Sequence, residues 1–348
     1  MPIEINMKSY ESLDIYARLS RNRLRLTVAV AVFTVTMMAL SGLGIYLLHI
    51  ALNLDLDFWL FLLLFWLLCL LYVVLRYALG GRWVSKGVTT MPEWQTNRLL
   101  ESALMAASLA SGMADRIRLF EIPDDDINSF SLSLPDGTFA LFATRGIARK
   151  LPENERVAVM AHEIAHMQAG DTTIYTVMIR LAGHRHLNKM VKGLPGSGFD
   201  PLRFFFTLVI FATFALITVF IVLRSISVWG ENLSPGTSFW ILIFVLLIAF
   251  AAFLPLILNA LLKTILDKER EFYADLQAVF LTRDPGAVYG AIKSAVEDVR
   301  DVLILPACLD ALLFCPVIDC SSYQPFRTQP SMADRMKRLK EAFPIIDI

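Results

Sequence analysis

The residues best placed to do chemistry are His162-Glu163-Ile164-Ala165-His166. Two histidines four apart project from one face of a helix, so both imidazoles can bind a single zinc, and the intervening carboxylate lies near the metal's open position. Zinc lowers the pKa of a coordinated water to about 7, and a neighbouring carboxylate can take its proton and pass it to a leaving amine. That chemistry is hydrolysis, with Glu163 as general base. The chain has 5 histidines in all, so a chance match to this spacing is improbable. Met160, Ala161, Ile164 and Ala165 surround the pair with apolar side chains, where histidines without partners would be costly to bury.

A catalytic zinc needs a third protein ligand and one vacant position. His184 and His186 lie about five turns further along and, if the helix continues, are too far down its axis to reach the same ion. They are expected at a surface or membrane interface. The second source is Asp267-Lys268-Glu269-Arg270-Glu271-Phe272-Tyr273-Ala274-Asp275, where Glu271 and Asp275 share a helix face. Spacing leaves two readings open. Glu271 is a zinc ligand and Asp275 holds a liganding histidine by its N–H, or both belong to a charged juxtamembrane helix face.

The elements that carry these residues are also legible. Pro152 opens a helix with Glu153 and Glu155 in its first turn, and Gly170 closes it. Upstream, residues 92–112 read as a helix and 117–122 as a strand. Ser129-Phe130-Ser131-Leu132-Ser133-Leu134 alternates with period two, marking a half-buried strand with its serines on one face. Pro135-Asp136-Gly137 is a turn and 138–144 the return strand, which together make a hairpin.

The composition places this site beside a membrane. Of 348 residues 56% are hydrophobic and 18% charged, against roughly 45–50% and about 25% in ordinary soluble domains. Stretches 26–50, 58–79, 204–223 and 239–262 each approach or exceed the ~20 residues a spanning helix needs. Arg18, Arg21, Arg23 and Arg25 precede the first span while Asp55 and Asp57 follow it, which sets the amino terminus in the cytoplasm. The expected organisation is a cytoplasmic segment 1–25, spans one and two in 26–79, the first part of a catalytic domain in 80–203, spans three and four in 204–262, and its second part in 263–348. The two cytoplasmic parts are expected to fold together, since neither alone holds a large core. Lys plus Arg and Asp plus Glu both number 32, which gives no basic surplus for nucleic acid. Cys69, Cys308, Cys315 and Cys320 match no zinc-binding pair and read as free thiols.

The run Phe142-Ala143-Thr144-Arg145-Gly146-Ile147, the run from Asn154 to His166, Gly170-Asp171, and Glu271-Phe272-Tyr273-Ala274-Asp275 together resemble the HtpX-type membrane zinc metallopeptidases, gluzincins related to the CAAX prenyl proteases. The layout agrees over about residues 25–340, with two spans before the active-site domain and two between the HExxH helix and the third ligand. The resemblance implies a mainly α fold: four transmembrane helices with a cytoplasmic α+β zincin-like domain containing a small sheet or hairpin. It also implies one zinc per chain held by His162, His166 and Glu271, with Glu163 as base and Asp275 supporting a histidine. Asn128, Ser129, Phe130 and Ser131, where such proteases often carry Asn-Ala-Phe-Ala, become a strand at the cleft rim to which a peptide adds by backbone hydrogen bonds.

The chain departs from the family at Thr328-Gln329-Pro330, where Thr-His-Pro is usual ahead of the helix with Arg335. Gln329 is then a candidate contact to substrate or oxyanion that can donate a hydrogen bond but carries no charge. The expected protein is an integral membrane zinc endopeptidase of quality control, cleaving misfolded or membrane proteins at the cytoplasmic face of a bacterial inner membrane. Prenyl-protein processing and a zinc-containing scaffold with weak turnover are the alternatives. Four spans rather than a larger intramembrane chamber argue against the first, and Gln329 is the only feature that suggests the second.

Overall fold

The computed structural model describes residues 15–52, 97–182, 269–298, 312–316 and 329–344, together with 59, 60, 63, 66, 67, 70, 71, 74 and 75. The expected spans 204–223 and 239–262, most of 58–79, and His184, His186, Cys69, Cys308 and Cys320 lie outside those residues. The chain divides into two compact units. One comprises Met1–Val28, Tyr77–Ser197 and Lys263–Ile348, and the other Ala29–Arg76 and Gly198–Leu262.

The first unit is helix-rich with a small sheet. Its elements in chain order are the start of α1 (Ile15–Leu52), α2 (Arg98–Ser111), β1 (Ile117–Ile122), β2 (Ser129–Ser133), β3 (Phe139–Thr144), α3 (Arg145–Lys150), α4 (Glu153–Ala169), α5 (Asp171–Ala182), α6 (Arg270–Thr282), α7 (Pro285–Glu297) and α8 (Met332–Ala342). Local chemistry explains their ends. Asn97 caps α2 by accepting from the Leu99 N–H, and Gly112 closes it at φ 71°. Asp284 accepts from Ala287 N–H with Pro285 in the first turn of α7, and Ser331 accepts from Asp334 N–H at the start of α8.

Helix α4 is the centre of the unit. Ala158, Val159, Met160, Ala161, Ile164, Ala165, Met167 and Ala169 are all buried, as a helix enclosed on nearly every side requires. The core around it draws Leu100, Leu104, Leu141 and Ile147 from residues 97–182 and Val279, Val288, Ile292, Phe314 and Leu339 from residues 269–344. Neither part therefore buries this core alone. Gly146 allows a close approach at the start of α3: a Cβ there would collide with the backbone carbonyls of Asp125 and Asp126.

The strands form one sheet in the order β1-β3-β2, with β1 parallel and β2 antiparallel to β3. The hairpin is as expected, and the parallel addition of β1 extends it. Phe142 lies between Phe120 and Phe130 in register, with stacked rings at 5.2 and 4.6 Å, so one face is an aromatic ladder across three strands. The other face differs from the half-buried reading: Ser129 and Ser131 are buried too, 0% and 3% exposed. Helices cover it, and the hydroxyls are paired there, Ser129 with Glu163 and Ser131 with Thr172. Thr144 N–H donates to Asn128 and Leu134 N–H to Thr138. The alternation therefore turns the backbone of Ser129, Ser131 and Ser133 away from β3, at the sheet edge.

In the second unit the Trp66 indole donates to the Met38 carbonyl of α1 at 3.1 Å. Among the described residues no helix qualifies as a membrane crossing by length and hydropathy together. Many side chains of α1 beyond Val28 lie outside the description.

Candidate metal centre

Helix α4 presents His162 and His166 on one face, and α6 crosses it to deliver Glu271. The two Nε2 atoms are 3.1 Å apart, and Glu271 Oε2 lies 3.5 Å from each. Tetrahedral zinc with bonds of about 2.0–2.1 Å separates its ligand atoms by roughly 3.3 Å, so the three atoms fit the edges of such a site. His162, His166 and Glu271 form a group able to hold a metal ion among the described residues. Glu271 Oε2 is buried and makes no hydrogen bond among them. A carboxylate oxygen so placed between two imidazole nitrogens, with Arg335 Nη1 3.8 Å away, has the electron pair and the position of a metal ligand.

Each imidazole is turned by a carboxylate on its far side. Asp275 Oδ1 lies 2.9 Å from His162 Nδ1, and Asp171 Oδ2 lies 3.2 Å from His166 Nδ1. Nδ1–H groups would donate to these oxygens, and the Nε2 atoms are the ones that face Glu271. Asp275 is in turn gripped by Arg335, whose Nε donates to Oδ2 at 2.8 Å and whose Nη2 donates to Oδ1 at 2.6 Å. Arg335 Nη1 donates to the Phe314 carbonyl at 2.7 Å, and the Phe314 ring meets His162 edge-on with centroids 5.0 Å apart. Arg270 Nε donates to the other Glu271 oxygen at 2.9 Å.

These charges set the electrostatics. Burial pushes the Glu271 carboxyl up, but His166 and Arg270 outweigh it and hold the group well below its usual range. Burial likewise opposes ionisation of Asp275, and Arg335 reverses the sign. For His166 burial disfavours the cation, yet Glu271 and Asp171 together raise its pKa to about 9 in the metal-free site. A metal must displace that proton. Zinc affinity is therefore expected to rise by about tenfold per pH unit from pH 7 towards 9 and to level off above it, since the metal competes with H⁺ only below the raised pKa. Zinc titrations of metal-free protein at pH 7, 8 and 9 check this.

Glu163 is 1% exposed and accepts a hydrogen bond from Ser129 Oγ at 2.8 Å. The Asn128–Ser131 segment begins the edge strand β2, beside α4. Asn128 Nδ2 donates to the Cys315 carbonyl at 2.7 Å, Cys315 N–H donates back to Asn128 Oδ1 at 3.1 Å, and Phe314 N–H donates to the Ser129 carbonyl. Phe130 faces away, in the aromatic ladder. Gln329 is buried, and its amide nitrogen donates to the Leu313 carbonyl at 3.1 Å. The structure thus brings His162, Glu163, His166, Glu271, Asp275 and Ser129 together, and links Gln329 to them through the 312–316 segment.

Three members of the site had no role in the reading of the residues. Asp171 follows Gly170 at the end of the motif helix, and a carboxylate five residues after a liganding histidine is a local signal that spacing offers. Arg335 and Phe314 approach from more than thirty residues beyond α6, and nothing in their spacing relates them to His162.

The model of peptidase family M48 matches residues 93–343, well over half the chain. A protease HtpX homolog of Listeria monocytogenes serotype 4a is 22% identical over 259 residues, covering 71% of this chain and 72% of that one. A protease HtpX homolog of Bacteroides fragilis is 25% identical over 179 residues, covering 51% and 46%. The crystal structure of S. mikatae Ste24p aligns with a TM-score of 0.39 at 15% identity, covering 91% of this chain and 67% of that one. With α4, the sheet and the histidine–glutamate cluster inside the matched region, the chain belongs to peptidase family M48.

Proposed function

We propose that this metallopeptidase is an integral membrane zinc endopeptidase that cleaves misfolded or membrane proteins at the cytoplasmic face of a bacterial inner membrane. The convergence of two Nε2 atoms and the Glu271 Oε2 atom carries the reading: His162, His166 and Glu271 hold one zinc. Bound there, zinc supplies a Lewis acid that acidifies water and polarises the scissile carbonyl.

The protein's own residues do the rest. Glu163 takes a proton from the attacking water and returns it to the leaving amine. The Ser129 hydroxyl donates to one Glu163 oxygen and so restrains the carboxylate. Asp275 and Asp171 keep the two rings in the tautomer that directs Nε2 inward. Phe314, 2% exposed against His162, keeps water from that side of the ring. Within the Asn128–Ser131 segment the Ser129 carbonyl and N–H are engaged by Phe314 N–H and Asn128 Oδ1, so the outer edge at Ser131 is where a peptide adds as a strand, which suits a protease of broad specificity because backbone groups are common to every sequence. Gln329 contacts the substrate side through the segment that it anchors at Leu313.

Placement in the bilayer is supported, for the first two spans, by Val35, Trp59, Leu60, Leu63, Leu67, Leu70, Leu71 and Val74, which are all exposed in the second unit. Such a surface is costly in water and at home in lipid. Detergent-purified protein with zinc is expected to cut a misfolded membrane protein reconstituted with it as well as unfolded casein. Cleavage of casein with the membrane substrate left intact would retain the peptidase and remove the proposed substrate class. Cleavage of neither would remove both.

A further inference from the structure

The buried start of α1 takes no part in the chemistry above, yet it meets the metal centre. Arg18, Leu19 and Asn22 lie within one turn of that helix, and Arg18 and Asn22 are 6% and 2% exposed. Asn22 Nδ2 donates to two acceptors at once, the Ala169 carbonyl at 2.8 Å and Asp171 Oδ1 at 2.7 Å. The other oxygen of Asp171 is the one that faces His166 Nδ1. The Arg18 guanidinium lies 4.2 Å over the ring of Tyr273, two residues beyond Glu271. Gly170, between the two acceptors of Asn22, has φ 81°, and a Cβ there would meet Leu19 Cδ1 at 2.9 Å. The turn from α4 to α5 is therefore shaped to receive α1.

We infer that Asn22 is a positioning residue for the metal ligand His166, acting through Asp171, so that the amino-terminal end of α1 is part of the metal centre. The physical reason is the number of constraints on Asp171. With Oδ1 held by Asn22 and Oδ2 by His166, the carboxylate has one orientation, and the imidazole plane follows it. Without Asn22, Oδ1 has lost its donor and the carboxylate can turn, which loosens the ring. The inference rests on the reading of His166 as a zinc ligand.

The test uses full-length protein in detergent and two readouts other than turnover: zinc affinity by competition with a chelator, and the visible absorption of the cobalt-substituted protein. Asn22→Leu removes both N–H donors while keeping the branching of the side chain, Asn22→Ala removes them by truncation if the first variant does not fold, and Leu19→Ala trims packing while keeping the donors. The Asn22 variants are expected to bind zinc about tenfold more weakly and to shift the cobalt bands, as loss of partners behind a metal ligand does. Leu19→Ala is expected to lose less affinity and to keep the wild-type spectrum. Wild-type affinity and spectrum in Asn22→Leu or Asn22→Ala would overturn the inference, as would equal losses in the Leu19 and Asn22 variants, which would reduce α1 to packing. Wild-type protein that binds no zinc would overturn the metal-centre reading first and this inference with it.

Discussion

Replacing Glu163 by Gln is expected to lower peptide hydrolysis by about 10²- to 10⁴-fold, the range of a positioned general acid–base. The substitution keeps the shape and nearly all the contacts of the site. Glutamine has a carbonyl oxygen that can still accept from Ser129 Oγ, now at 2.8 Å from Glu163, and the side chain stays in the same buried position. What it lacks is the capacity to take a proton from water and release it to the amine. Zinc content is expected to be unchanged, because His162, His166 and Glu271 are untouched. Rates on casein together with metal analysis of the same preparation check both halves. A mutant with more than a tenth of the wild-type rate would mean that another group carries the proton.

The second large effect belongs to a residue that touches no substrate. Arg335 is 1% exposed and makes two short bonds to Asp275, which in turn holds His162. Arg335→Met fills similar volume but leaves the Asp275 carboxylate buried without its cation and the Phe314 carbonyl without its donor. Breaking a buried pair in this way costs about 3–5 kcal/mol of stability, and zinc affinity is expected to fall by about 10- to 100-fold as His162 loses its fixed partner. The sign follows from the electrostatics. Arg335 holds the Asp275 carboxyl down, so its removal lets that carboxyl take up a proton and cease to attract the His162 N–H. Thermal unfolding in detergent and chelator competition measure the two losses. A stability change below about 1 kcal/mol, the level of an exposed ion pair, would contradict this account of the site.

What the sequence makes legible is what local chemistry specifies. Pro152 and Gly170 bracket α4, whose helix is 17 residues long, and the His162–His166 spacing within it needs only helical geometry to be read. Pro135-Asp136-Gly137 marks the hairpin between β2 and β3 because turn residues act within four positions. The partners that finish the site come from far along the chain. Ser129, Ser131 and Ser133 alternate as a surface strand would, and only the covering helices turn the Ser129 and Ser131 hydroxyls into a buried polar layer. Arg335 is 60 residues from Asp275, and Asn22 is 147 residues from Ala169. No periodicity links residues across such separations. For the same reason the parallel pairing of β1 with β3 was not readable: both strands have the right composition, but neither names its neighbour.

The family resemblance and the geometry meet at Glu271. Spacing alone left it divided between a zinc ligand and a juxtamembrane charge, and the structure sets its Oε2 atom 3.5 Å from both imidazole nitrogens. The most direct measurement is therefore the zinc stoichiometry and affinity of wild-type protein beside Glu271→Gln, which keeps the volume and removes the charge. One zinc per wild-type chain, with affinity at least about tenfold weaker in the variant, is the predicted result. Equal, tight zinc binding by both proteins would contradict it and place the metal elsewhere.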